Sequence, residues 1–221
     1  MNLTVVCLFI DGEYPYTPEY VYNLKAMCAK WIDRPHRFVC MTDQPWMFTE
    51  DIYTIPIQRI EHCFAYWTKL KVFDPKRQWE GRVLYLDLDT LIVAPLDPII
   101  DYPAEMALTD DPPYVRPKTK DAHGRKIFRK FNSSVMVWDG GTNTHLYETW
   151  THEIAQTYSG DQDWLGLKAQ KAAGMPREWF PRLSEVKGPP FGEAKVILTK
   201  EPKNHVAVDR YPWLGPLWRV V

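Results

Sequence analysis

The sequence has no long apolar run. Near the N-terminus the longest clean one, residues 5–10, falls far short of the roughly 20 residues that a membrane-spanning helix needs. No basic stretch precedes it and Asp11-Gly12-Glu13 follows at once, so it does not read as a secretory signal. Cysteine is scarce. Cys7, Cys28, Cys40 and Cys63 form no Cys-x-x-Cys pair, which argues against a zinc ribbon or a thioredoxin-type site. Cys7 and Cys40 lie in apolar runs and read as buried thiols, the pattern of a reducing, cytoplasmic setting. Neither sign of charge is in excess: 27 Lys and Arg against 28 Asp and Glu leave a net charge of −1, so bulk attraction to nucleic acid or acidic membranes is not expected. No internal repeat or low-complexity stretch is visible.

What is present is ordinary globular composition. Hydrophobic residues at 45% and charged residues at 25% argue against disorder, and 221 residues suit one domain that folds without staples. The chain is rich in Trp, with 10, and in Pro, with 19. The prolines imply many rigid turns. The aromatics suit a site for planar or sugar-like ligands or, more plainly, an aromatic core.

Hydrophobic patterning outlines the elements. Residues 3–10 read as a buried strand with an Asp-Gly exit. Helical spacing over 18–31 follows, with Pro18 in its first turn. Strands are expected at 37–41, 52–57 and 82–86, the last continuing over 91–93, and again at 105–108, 134–138 and 195–198. Helices are expected over 66–73, 144–158 and 162–173, and the tail is rich in Trp and Pro. Strands alternate with helices in the first half, which predicts an α/β domain with a mainly parallel central sheet flanked by helices. Ligands of such sheets bind at the carboxyl ends of the strands.

Four segments could carry chemistry there. A strong apolar strand runs into Asp87-Leu88-Asp89, whose carboxylates at i and i+2 fall on one side of an extended backbone. A divalent cation such as Mg²⁺ or Mn²⁺ is the simplest compensation for that repulsion, and solvated aspartates in a strand-exit turn are the plain alternative. Asn132 and Ser133 precede another apolar strand and could bond hydroxyls or serve only as turn residues. Asp161 and Gln162, in Gly160-Asp161-Gln162-Asp163, could face a substrate. Taken by itself, that segment favours Asp161 as a helix cap. Lys203 follows the late strand and could neutralise a diphosphate, although such lysines are usually solvated.

Taken in order, Tyr66-Trp67-Thr68-Lys69-Leu70, Tyr85-Leu86-Asp87-Leu88-Asp89, Phe131-Asn132-Ser133-Ser134, Gly160-Asp161-Gln162-Asp163 and Pro202-Lys203 resemble a family. It is that of the small GT-A-fold glycosyltransferases of family eight, which includes lipopolysaccharide galactosyltransferases and glycogenin. The resemblance runs from Leu3 to about Trp218. It implies one GT-A, Rossmann-like domain over 1–221, with a nucleotide-binding half to about 110 and a sugar and acceptor half beyond. It also implies transfer of a sugar from a nucleoside-diphosphate sugar, a UDP-sugar first, to an acceptor hydroxyl, with retention. Asp87 and Asp89 would hold Mn²⁺ or Mg²⁺ against the diphosphate. Lys69 would face the donor phosphate or sugar, and Lys203 the diphosphate. Asp11 would lie at the base, and Asn132, Ser133, Asp161 and Gln162 at the sugar. Asp161 and Gln162 are the catalytic candidates, with no covalent role assigned to Gln162.

One departure stands out. Where the family has a metal-binding His before its Pro-Lys loop, this sequence has Thr199-Lys200, with His205 beyond. That keeps open a nucleotide-sugar-binding protein with impaired catalysis. A haloacid-dehalogenase-type phosphatase also uses Asp-x-Asp after a strand, but Leu91 departs from its motif, and its aspartates normally follow the first strand. A basic stretch holds Arg116, Lys118, Lys120, Arg125, Lys126, Arg129 and Lys130 with only Asp121 against them. Pro117 and Gly124 suggest a mobile loop, either simply solvated or gripping a phosphorylated glycan or nucleic acid.

Overall fold

Leu3–Phe9 (β1) is apolar on both faces, and such a strand must be covered on both sides. In the computed structural model, which describes residues 2–12, 16–120, 126–199 and 210–218 (backbone alone for 112–120 and 126–129), it is. Val5, Cys7 and Phe9 pack with Leu24, Met27 and Cys28 of the helix Pro18–Trp31 (α1). Val6 points to the opposite layer, with Trp67, Leu70, Phe73 and Trp164. Leu24 and Met27 have no solvent exposure, so truncating either to Ala removes about 2–5 kcal/mol.

Seven strands form one sheet in the order β3-β2-β1-β4-β7-β6-β8. These are Tyr53–Pro56 (β3), Arg37–Thr42 (β2), Arg82–Leu86 (β4), Lys126–Asp139 (β7), Met106–Lys120 (β6) and Ala173–Met175 (β8), with β1 between β2 and β4. The pairs β3-β2, β2-β1, β1-β4 and β6-β8 are parallel, and β7 alone runs backwards, antiparallel to β4 and β6. The expected mainly parallel α/β sheet is therefore present. The reversal of β7 has a functional consequence. Its entry lies where β4 ends, so Leu86 pairs with Val135 and the residues just before Val135 reach the carboxyl edge.

Several expected elements take another form. Residues 91–93 do not extend β4. Thr90–Ile92 (β5) turns away and pairs antiparallel with Val196–Leu198 (β9) as a second small sheet. After a single helical turn at Asp97–Ile100 (α3), the helix expected over 144–158 is two, His145–Glu148 (α4) and His152–Thr157 (α5), broken where Thr151 adopts an extended conformation. Residues 65–73 begin as a helical turn, Ala65–Thr68 (α2), and tighten into the 3-10 segment Lys69–Phe73. The helix Asp161–Lys168 (α6) stops short of 173 because β8 starts there. The basic stretch is not a loop along its described backbone. It belongs to a β6-β7 ribbon, with Tyr114 opposite Arg129 and Lys120 opposite Lys126. Leu214 and Trp218 of the tail fold back into the core beside α1, with the Trp218 ring 4.8 Å from Tyr20. No helix among the described residues is long and apolar enough to cross a membrane.

Candidate active site

The site begins with a break in the β6-β7 ladder. Leu108 pairs with Met136, but Thr109 pairs with Asn132, so Ser133, Ser134 and Val135 bulge out of register. Bulges re-aim side chains. The freed Ser134 carbonyl accepts from the Asp87 amide at 2.8 Å, carrying the β4 ladder one residue past its end. The Thr90 amide and hydroxyl then donate to the Asp87 carbonyl at 3.2 and 2.7 Å, closing the turn that holds Asp87-Leu88-Asp89.

Lys69 lies at the centre. Its ammonium is 2.8 Å from Asp87 Oδ1, 3.1 Å from Asp87 Oδ2, 3.1 Å from Ser133 Oγ and 3.5 Å from Asp161 Oδ2. It also lies 5.2 Å from the centre of the Tyr85 ring. Burial by itself would lower the lysine pKa, but Asp161 and then Asp87 outweigh it and hold the group above its ordinary value. Ser133 has no solvent exposure: its hydroxyl donates to Asp161 Oδ2 at 2.6 Å and accepts from Lys69. It ties the two together from behind. Asp161 does not cap α6. No side chain caps that helix, and Gly160 occupies the cap position.

Asp89 carries the strain of the arrangement. It is 9% exposed, and burial first, then the charge of Asp87, push its carboxyl up to about 7 against the opposing pull of Lys69. Asp87, Asp89 and Asp161 thus face one buried ammonium, an excess of negative charge that a divalent cation would balance. Thr199, next to β9, donates its hydroxyl to the Asp89 carbonyl at 2.6 Å and so braces the turn. Among the described residues no group of three or more His, Cys, Asp or Glu side chains is arranged for a metal. The donor set still fits Mg²⁺ or Mn²⁺, which take one or two carboxylates and complete their shells with water and substrate phosphate.

The other candidates sit on the same edge. Asp11, exposed at the exit of β1, donates its amide to Asp43 Oδ1 at 3.1 Å. Asn132 accepts from the Ser134 amide through Oδ1 at 2.8 Å. Gln162 stands in the first turn of α6 beside Asp161. Lys200, Lys203 and His205 lie outside the described residues, as do the side chains of most of the basic stretch. Sequence reasoning missed Tyr85, whose hydroxyl donates to Asp87 Oδ1 at 2.9 Å. In an apolar strand nothing separates it from a core tyrosine.

No protein-family model matches the chain, and no curated protein matches it. Solved structures do. The galactosyltransferase LgtC, in complex with donor and acceptor sugar analogues, superposes with a TM-score of 0.63 at 15% identity, over 97% of this chain and 96% of that one. The chain has the GT-A fold. An active-site glutamine-to-glutamate mutant of LgtC gives 0.58 at 16% identity, over 90% of this chain and 88% of that one. The bifunctional glycosyltransferase WbbM gives 0.54 at 13% identity, over 89% of this chain and 45% of that one. The expected fold and the resemblance behind it are thus borne out in three dimensions.

Proposed function

We propose that this protein is a glycosyltransferase that moves a sugar from a nucleoside-diphosphate sugar, a UDP-sugar first, to an acceptor hydroxyl, with retention. One observation carries the reading. On a GT-A fold, at the carboxyl end of β4, Asp87 and Asp89 gather unbalanced negative charge beside Lys69 and Asp161. Asp87 and Asp89 would hold Mn²⁺ or Mg²⁺, and what such an ion supplies is neutralisation of the charge growing on the leaving diphosphate.

The chain's own residues do the rest. Lys69, its proton secured by two carboxylates, stays charged and adds positive potential at the donor. Ser133 and Tyr85 fix Lys69, Asp87 and Asp161 before any substrate arrives, so the polar groups need little reorganisation during reaction. Asn132 and Gln162 would orient the sugar, and Asp11 the base. Lys203 would meet the diphosphate. That an active-site glutamine was chosen for mutation in LgtC supports the assignment of Gln162. Residues to about 110 would serve the nucleotide, and those beyond it the sugar and acceptor. The basic β6-β7 ribbon would grip a phosphorylated glycan. Nucleic acid in its place would give binding that falls steeply with salt. A cytoplasmic location completes the reading.

The test is turnover of UDP-sugars with and without Mn²⁺. Release of UDP that requires the ion supports the proposal, and none with any donor defeats it. One observation favours binding without catalysis: the Thr199 hydroxyl is committed to the Asp89 carbonyl. Donor binding with no turnover would establish that second reading.

A further inference from the structure

The ammonium of Lys69 and a divalent cation compete for the same oxygens. A carboxylate has about four acceptor positions on its two oxygens. On Asp87 three are in use. The Tyr85 hydroxyl donates to Oδ1 at 2.9 Å, and Lys69 reaches Oδ1 at 2.8 Å and Oδ2 at 3.1 Å. Among the described residues no third His, Cys, Asp or Glu joins Asp87 and Asp89 as a metal group. An ion on Asp87 therefore sits beside a fixed positive charge. Lys69 is only 5% exposed, so solvent screens that repulsion poorly.

Lys69 is placed to give up Asp87 without leaving the site. Its backbone is fixed where α2 passes into the 3-10 segment, but its ammonium ends a flexible four-carbon stem and carries three N–H groups. Its partners differ in access. The Asp161 side chain is 6% exposed and Ser133 not at all, whereas the Asp87 side chain is 22% exposed. Ser133 Oγ at 3.1 Å and Asp161 Oδ2 at 3.5 Å thus form a buried anchor, and Asp87 is the partner that an incoming ligand reaches. A small turn of the stem redirects one N–H from Asp87 to a new acceptor while the anchor holds. A lone cation brings no such acceptor. A cation that arrives on a diphosphate brings several phosphate oxygens.

We infer that Lys69 is an internal counter-ion that changes partners. It holds Asp87 against a free divalent ion and yields it to an ion that comes with a diphosphate, onto which the ammonium moves. The inference rests on the reading of Asp87 and Asp89 as metal ligands in the proposed reaction. By linkage, diphosphate and ion each strengthen the other's binding by one factor, and Lys69 is the source of that factor.

Mn²⁺ titrations of the full chain test it, followed by water-proton relaxation and corrected for Mn²⁺ held by free UDP. UDP should tighten Mn²⁺ binding to the wild type at least about tenfold. Without UDP, Lys69→Gln should bind Mn²⁺ at least about tenfold tighter than the wild type, and Lys69→Arg, which keeps the charge, should not. With UDP the order should reverse, with Lys69→Gln the weaker. A measurement on the unmutated chain covers any failure of Lys69→Gln to fold. The ¹⁵N resonance of the Lys69 ammonium, assigned by its loss in Lys69→Arg, should stay in place with Mg²⁺ alone and move with Mg²⁺ and UDP. Lys69→Gln that folds and binds Mn²⁺ no tighter without UDP overturns the inference, as does an ammonium resonance that moves with Mg²⁺ alone. Inorganic pyrophosphate separates the two readings. Coupling with pyrophosphate and none with UDP would support the counter-ion and defeat the nucleotide-sugar donor, and coupling with neither would overturn the counter-ion.

Discussion

The chain contains the same triplet twice, Asp87-Leu88-Asp89 and Asp161-Gln162-Asp163, and the two behave differently. The first leaves a strand and turns, so both carboxylates stay in one place and repel. Burial and Asp87 together raise Asp89 to about 7. The second opens a helix, where residues two apart do not face each other. Asp161 turns to Ser133 and Lys69, while Asp163 accepts from the Ser159 hydroxyl at 2.6 Å. Backbone context decides whether an Asp-x-Asp triplet concentrates charge or distributes it. Only the first triplet has the charge excess that calls for a cation.

Substitutions at the two triplets should separate accordingly. Asp89→Asn has the largest expected effect, a loss of transfer of about 100-fold or more, equivalent to about 2.7 kcal/mol or more in the barrier. The same change should stabilise the metal-free fold at alkaline pH. A carboxyl raised to about 7 in the fold, against 3.8 ordinarily, binds its proton more tightly when folded. Its cost to the fold therefore grows as pH rises from about 4 to about 7 and is complete above that. Melting temperatures of wild type and Asp89→Asn in chelator should diverge across that window and converge at pH 4. Parallel curves would contradict the assigned strain.

Lys69→Met comes next. It strands Asp87 and Asp161 in a buried site and should destabilise the protein by about 3–5 kcal/mol in urea unfolding. A loss under 1 kcal/mol would mean that water replaces the ammonium. Ser133→Ala removes the hydroxyl that joins Lys69 to Asp161, at about 1–3 kcal/mol. The resemblance implied a sugar contact for Ser133, but its fully buried hydroxyl is spent on Lys69 and Asp161; it acts from behind them, so its loss should lower the transfer rate while donor KM holds. A raised KM with an unchanged rate would reverse that role. Asp163→Asn is the smallest, about 0.5–1.5 kcal/mol, with transfer preserved. If it abolished transfer, the contrast between the triplets would fail.

Much of the fold was legible because its signals are local. The continuous apolar runs of β1 and β4 and the 3.6-residue spacing of Leu24, Met27 and Cys28 need no partner to be read, and the ordered motifs pointed to the GT-A fold. What was not legible depends on distant residues. Nothing near Thr90 reveals that it pairs with Leu198. The bulge that carries Ser133 behind Lys69 arises in the register of β7 against β6, which no local pattern shows. Asp161 read as a cap because capping is a local signal, and its partners lie 28 and 92 residues away in sequence at Ser133 and Lys69. The ribbon over the basic stretch was masked by Pro117 and Gly124, residues that ordinarily mark loops.

Asp87 and Asp89 are proposed to hold a divalent ion against a nucleoside diphosphate. Calorimetric titration of MnCl₂ into the metal-free protein, in the presence of UDP, tests it most directly. Saturable binding of one ion in the wild type and its loss in Asp89→Asn is the predicted result. Identical titrations of the two proteins would contradict it.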